Sequence, residues 1–392
     1  MRYLSDLNLS NKRVLIRADF NVPLDENLNI TDDNRIKQFI PTLKEILSKG
    51  GKAIMMSHLG DGSGKVDPKC SLIPVAKKLS ELMGINIPLA PDCVGPEVEK
   101  MVSELQPGSA LLLENLRFHS GEKNNEGEFV SLLSRLGDVY VNDAFATAHR
   151  AHGSIVGVAS KFKDKAAGLL MQKEVEYYEK TLLNPSRPLC VVLGGAKVST
   201  KLGCLKYLAT KADKFIIGGA MANTFLAAQG MQMGRSLFES DLFPTALEIL
   251  GTLARRECKV YLPVDFMVAP SLTSKGLARA FPAQEVPADQ MALDIGPASS
   301  ALFKQVVHTS ETIVWNGPMG AFEQEDFAKG TTDLIESIAS AHGLKVAGGG
   351  DTDAAIHQME LGHKFDFIST GGGAFLALLE GNSLPALKSL EK

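Results

Sequence analysis

The chain has 392 residues, 45% of them apolar and 22% charged, and a formal net charge of −4. That length exceeds one comfortable hydrophobic core and predicts two domains, while the mild acidity excludes a dedicated nucleic-acid binder, which needs a strong basic excess. Its five cysteines (Cys70, Cys93, Cys190, Cys204, Cys258) form no C-x-x-C pair, so neither a disulfide framework nor a zinc site is expected. A polar start and the lack of any apolar run of about 18 residues predict a cytoplasmic protein with no membrane span.

In chain order, short apolar runs alternate with amphipathic stretches. Val14 to Phe20 reads as a strand, Ile36 to Ser48 as a helix ended by Gly50 and Gly51, and Ala53 to Ser57 as the next strand, which makes a β-α-β unit. The alternation continues with Leu72 to Met83 (helix), Ile85 to Leu89 (strand), Val94 to Leu105 (helix), Ala110 to Leu113 (strand), Phe129 to Leu136 (helix) and Val139 to Val141 (strand). The charged amphipathic segment Leu169 to Leu183 predicts a linking helix. Strands then follow near Leu189 to Leu193, Lys214 to Ile217, Lys259 to Val264, Thr312 to Trp315, Lys345 to Ala347 and Phe365 to Ile368. Two such blocks predict an α/β protein with two doubly wound, Rossmann-like parallel-sheet domains joined by a helix. Phe266 to Pro297, punctuated by prolines, reads as an irregular excursion within the second block.

Open parallel sheets bind ligands beyond the carboxyl ends of their strands, and there the two blocks differ. The first carries Arg17, Asp19 and Asn21, then Ser57 and His58, then Glu114, Asn115, Arg117 and His119, then Asn142 and Asp143 with His149, Arg150 and His152 downstream. Forked and switchable cations of this kind suit a small carboxylate or phosphate ligand, although Arg17 and Asp19, two apart, also fit a structural ion pair. The second block carries Gly194-Gly195-Ala196-Lys197-Val198-Ser199-Thr200-Lys201, Gly218-Gly219, Asp265, Asn316-Gly317-Pro318, Gly348 to Thr352 and Thr370 to Gly373. Glycines admit phosphate oxygens close to the backbone, and Lys197 and Lys201, four apart, share a helix face near a helix start whose N–H groups attract anions. The spacing is not that of a Walker A loop, and two lysines so placed are ordinarily a solvated face. Asp351 beside the glycines is the best metal candidate, since Mg²⁺ needs only one or two carboxylates when a nucleotide supplies phosphates. No G-x-G-x-x-G with a later acidic residue supports a dinucleotide enzyme, and no general base can be placed.

The chain resembles phosphoglycerate kinases over essentially its full length. The resemblance rests on Arg17 to Pro23, Ser57 to Gly60, Glu114 to Phe118, Asp143 to Phe145, Ala148 to His152, Gly194 to Lys201, Trp315 to Pro318 with Glu323, Gly348 to Thr352 and Ser369 to Gly373. It implies reversible phosphoryl transfer between 1,3-bisphosphoglycerate and MgADP, giving 3-phosphoglycerate and MgATP, in a cleft between the domains of a hinge-bending monomer. By resemblance the substrate would be held by Asp19, Asn21, Arg35, His58, Leu59, Gly60, Asp61, Arg117 and Arg150. The nucleotide would be held by Gly195, Lys197, Lys201, Gly218, Gly219, Asn316, Pro318, Glu323, Gly349, Gly350, Asp351 and Thr352, with Mg²⁺ at Asp351. Arg35, Lys197 and the N–H groups of Gly371, Gly372 and Gly373 would supply the catalytic positive charge. The implied domains are 1–168 plus 374–392, a linking helix 169–183, and 184–373. One departure stands out: the family's usual Arg-Pro after Ser-His-Leu-Gly is here Asp61-Gly62, an anion near the basic patch, with Lys65 as the nearest restoring cation. The alternative is a non-catalytic nucleotide-binding protein that keeps the fold.

Overall fold

The structure is a computed structural model describing residues 1–62 and 64–391; Ser63 and Lys392 lie outside it. The chain divides into two compact units, Met1–Val175 with Ser383–Lys392, and Glu176–Asn382. The helix Leu169–Tyr178, continued by a wider turn over Glu179–Leu183, contains the boundary between them.

The first unit is built on five parallel strands, β1 (Arg13–Arg17), β2 (Lys52–Met56), β3 (Ala110–Leu112), β4 (Val139–Asn142) and β5 (Lys165–Ala167), in the order β3-β2-β1-β4-β5. Strands covered by helices on both faces read as unbroken apolar runs, and Val14, Leu15 and Ile16 of β1 are fully buried. The helix Asn34–Ser48 brings Ile36, Phe39, Leu43 and Ile46 onto the same core as Val14, Ile16 and Met55. The predicted strand Ile85 to Leu89 is not one: only an isolated bridge, Leu89 to Leu112, forms there. Pro88 and Pro91 remove the amide donors that a ladder needs.

In the second unit β6 (Leu189–Leu193), β7 (Lys214–Ile217) and β8 (Lys259–Tyr261) run one way from the middle of the sheet. The strands β12 (Thr312–Asn316), β13 (Leu344–Gly348) and β14 (Phe367–Ser369) run the other, giving β14-β13-β12-β6-β7-β8, all parallel. The excursion is more ordered than expected. It holds an antiparallel sheet, β10-β9-β11, from β9 (Asp265–Ala269), β10 (Arg279–Pro282) and β11 (Met291–Ile295), over a small core of Leu226, Met233, Phe266 and Val268. The helix Gly373–Leu379 stays with this unit, where the Cys204 thiol donates to the Leu376 carbonyl at 3.7 Å. Only Ser383–Lys392, rather than everything from 374, joins the first unit; the Ala386 amide bonds the Ala148 carbonyl at 3.1 Å.

Candidate active site

In each of the two parallel sheets the strand order reverses once, between β1 and β4 and between β6 and β12, and such a reversal leaves a crevice at the carboxyl ends of the flanking strands. Arg17 pairs in register with Met56 and Asn142, so Arg17, His58 and the residues after Asn142 emerge at one edge. The Arg17 guanidinium, 1% exposed, donates to Ser154 Oγ at 2.9 Å and to the Ala18 carbonyl, and lies 3.1 Å from His58 Nδ1. It is therefore a fixed structural cation, and Asp19 pairs instead with Arg35 at 2.7 Å. Asn21 Oδ1 accepts the Gly60 amide at 2.8 Å. Buried Arg117 donates to the Gly60 carbonyl, and its Nε finds no partner among the described residues.

Burial, then the surrounding Arg17, Arg117, Arg150 and Arg35, holds the His58 pKa well below its ordinary value. Burial and Arg150, Arg117, Arg17 and Lys123 bring His152 down to about 4. Burial does most to keep these histidines neutral, and the arginines crowded around them add a positive field that attracts a small polyanion. Asp61, its side chain almost fully exposed, sits 3.3 Å from Arg117 and 3.2 Å from Lys123, whose hydrogen bond and charge lower its pKa. The cations that meet this anion are thus Arg117 and Lys123 rather than Lys65.

The corresponding crevice of the second unit is a cavity of about 320 Å³ lined by Lys201, Asn316, Gly317, Gly349, Gly350, Asp351, Thr352, Gly372, Gly373 and Leu376. Lys201 Nζ donates to Asn316 Oδ1 and, at 3.2 Å, to the Asn316 carbonyl; Asn316 Nδ2 in turn donates to the Gly348 carbonyl at 2.6 Å. Thr352 Oγ1 accepts the Gly317 amide at 2.7 Å. Gly349 is obligatory: its φ is +107°, and a Cβ there would stand 2.5 Å from Asn316 Nδ2. Desolvation lowers the Lys201 pKa to about 8, against the smaller opposing pull of Cys204 and Asp351.

Six of the expected nucleotide residues (Lys201, Asn316, Gly349, Gly350, Asp351, Thr352) therefore share one cavity with Gly372 and Gly373. Gly195, Lys197, Gly218, Gly219, Pro318 and Glu323 lie outside its wall. The glycine turn reaches the wall through the Gly194 amide, which donates to the Asn316 carbonyl at 3.0 Å, and Gly195 and Gly219 are bonded to Met221 and Met319 beside it. Lys197 and Glu323 are exposed. The Gly371 amide is taken by Ser369 Oγ at 3.2 Å, leaving Gly372 and Gly373 to face the cavity. Of the remaining lining residues, the sequence marks Gly317 at a strand end without giving it a role, whereas nothing in the local pattern marks Leu376. Glu239 is unmarked too; its carboxylate accepts the Ser199 amide at 3.0 Å in the turn expected to keep its N–H groups for phosphate.

The phosphoglycerate kinase family model matches residues 4–382. The chain belongs to the phosphoglycerate kinase family. It is 49% identical over 391 residues to the phosphoglycerate kinase of Desulfotalea psychrophila, with 100% of each chain covered. It is 48% identical to that of Aquifex aeolicus, across 99% of this chain and 98% of the other. The solved phosphoglycerate kinase structure from Coxiella burnetii superposes with a TM-score of 0.93 at 41% identity, covering 99% of this chain and 98% of that one. The arginine patch and the glycine-lined cavity accordingly stand on a fold the family shares.

Asp351 fits a nucleotide-borne cation. It is an exposed carboxylate in the first turn of the helix Gly350–Gln358, on the cavity wall. Among the described residues no second His, Cys, Asp or Glu joins it in a three-ligand group; the one such group is Asp92, Cys93 and His119 in the first unit. A single carboxylate with open positions suits Mg²⁺, which keeps waters and takes phosphate oxygens.

Proposed function

We propose that the chain transfers a phosphoryl group reversibly between the acyl phosphate of 1,3-bisphosphoglycerate and MgADP, giving 3-phosphoglycerate and MgATP. Membership of the family makes it a transferase of the kinase type with a carboxyl group as acceptor, a step of glycolysis. The observation that carries the assignment of the two sites is their opposed chemistry at equivalent places: buried arginines around neutral His58 in one unit, a lysine-and-glycine cavity in the other.

On this reading Asp19, Asn21, Arg35, His58, Leu59, Gly60, Arg117 and Arg150 hold the phosphoglycerate, with Asp61 tempering Arg117. Lys201, Asn316, Gly349, Gly350, Asp351 and Thr352 hold the nucleotide, supported by Gly195, Gly218, Gly219, Pro318 and Glu323. Mg²⁺, when bound with the nucleotide at Asp351, supplies neutralising charge between phosphates. Phosphoryl transfer asks for alignment and fixed positive charge rather than covalent help. Arg35, Lys197 and the amides of Gly372 and Gly373 supply that charge, with Gly371 holding the turn. The acceptor oxygen is already ionised, so no proton has to be removed; neutral His58, its Nδ1 accepting from Arg17, has its Nε2–H to donate. The two ligands have to meet in line during turnover, which assigns a hinge to 169–183 and a water-excluding closure to the catalytic cycle. The same reading makes the protein a cytoplasmic monomer, and its five unpaired cysteines suit a reducing compartment.

The test is coupled ATP formation from 1,3-bisphosphoglycerate and MgADP. Turnover that disappears on chelating Mg²⁺ is expected; intact nucleotide binding without turnover would establish the non-catalytic alternative instead.

A further inference from the structure

We infer that Glu239, a residue in none of the motifs above, is a positioning residue that holds Lys197 ready for the transferred phosphoryl group; the inference rests on the function proposed for Lys197. Within itself the turn carrying Lys197 is held by two bonds, the Lys201 amide to the Val198 carbonyl at 3.0 Å and the Thr200 hydroxyl to the Lys197 carbonyl at 2.9 Å, and neither ties it to another element. Ala196, Lys197, Ser199 and Thr200 are exposed, and only the Val198 side chain is buried. Fixing an exposed turn costs conformational entropy, and catalytic charge is effective only when held in place beforehand.

Glu239 supplies the missing anchor. Its Oε2 accepts the Ser199 amide at 3.0 Å and its Oε1 the Ser199 hydroxyl at 2.5 Å. Burial works to raise the carboxyl pKa, but the Ser199 hydroxyl, the Ser199 and Val198 amides and the Lys197 charge outweigh it and leave the pKa below its usual value. The anchor is itself tied down: the Glu239 amide donates to Thr224 Oγ1 at 3.1 Å, and Asn223 Nδ2 to the Leu237 carbonyl at 3.1 Å. Asn223 and Thr224, both 1% exposed, belong to the helix Ala220–Ala228, which opens directly after Gly218-Gly219. Glu239 thus references the Lys197 turn to the helix that follows the other glycine turn of the site.

The test uses three variants of the full chain, with kcat and the KM for MgADP measured in each. Glu239→Ala is expected to lower kcat about tenfold, the scale of a lost charge-assisted hydrogen bond, with KM little changed. Glu239→Gln, which can still accept the Ser199 amide and donate to its hydroxyl, is expected to restore most of the rate. In Lys197→Ala/Glu239→Ala the second change is expected to cost nothing beyond Lys197→Ala alone, because the group being positioned is gone. Additive losses in the double variant, a loss confined to KM, or a Glu239→Gln as slow as Glu239→Ala would each overturn the inference. Failure of the unsubstituted protein to turn over would instead overturn the function on which it rests.

Discussion

At the scale of single residues, the two lysines of the Gly194–Lys201 turn divide by environment. Lys201 is held by Asn316 in the cavity wall and has a pKa of about 8; Lys197 is exposed on a turn pinned by Glu239. A nucleotide phosphate favours the ammonium form of Lys201, so binding takes up a proton once the free protein begins to lose it. Nucleotide affinity is therefore expected to fall up to about tenfold per pH unit above pH 8. Calorimetry at pH 8.5 in two buffers of different ionisation heat reads the proton uptake directly, and equal heats would contradict it. Lys197→Ala is expected to lower kcat by about 10² while leaving nucleotide Kd within a factor of a few; parallel losses in both would make Lys197 a binding residue only. In the other unit, Asp61 occupies Arg117 and Lys123. Asp61→Asn and Asp61→Arg are expected to lower the KM for 3-phosphoglycerate by about threefold at low salt, an effect that fades as salt screens the exposed carboxylate. The presence of Asp61 is plain in the sequence, but its partners are not: Lys123 is 62 residues away, and only the folded loop makes it a nearer cation than Lys65.

At the scale of elements, parallel strands buried on both faces announce themselves, and β6, β7 and β12 lie within a residue of their expected bounds. The failures share a cause, since periodicity reports burial and not hydrogen bonding. Ile85 to Leu89 is apolar but proline-interrupted and yields a single bridge, whereas β9 and β11 are mostly buried and β10 mostly exposed, and their antiparallel pairing carries no signal within any one of them. The same holds at the site, where residue types at strand ends were legible but the contacts made across the fold, such as Glu239 on Ser199 and Glu122 on Ser154, were not. The linking helix shows how a long-range contact governs an element. Asp143, wholly buried after β4, accepts the Met171 amide at 3.0 Å in the first turn of Leu169–Tyr178, and desolvation raises its pKa to about 6. The folded protein therefore keeps this proton up to about pH 6 while the unfolded chain releases it near 3.8. The contribution of this residue to stability is greatest below that range and is lost as pH rises through it. Asp143→Asn removes the dependence, so its Tm relative to the parent is expected to climb between pH 4 and 7; a difference that stays flat would count against the assignment.

At the scale of the whole molecule, the chain begins and ends in the same unit. Leu384, Ala386 and Leu390 are buried there, and the Ser389 hydroxyl donates to the Ile155 carbonyl at 3.3 Å. Removing 383–392 deletes Leu384 and Leu390, whose burial contributes about 3 to 6 kcal/mol, and uncovers the surface they pack on. The single tryptophan, Trp315, sits unexposed in the core of the other unit and reports on it alone. The truncated chain is expected to keep its Trp315 fluorescence midpoint in urea while its circular dichroism acquires an earlier transition; one coincident early transition by both probes would contradict this. The closing segment also makes the two units unlike as folding problems. Glu176–Asn382 is continuous in sequence, whereas the first unit is completed by a piece that lies beyond all of the second. The bond from Ser389 to Ile155 spans 234 residues, so the first unit is whole only after a long loop has closed, an entropic cost that the second unit does not share.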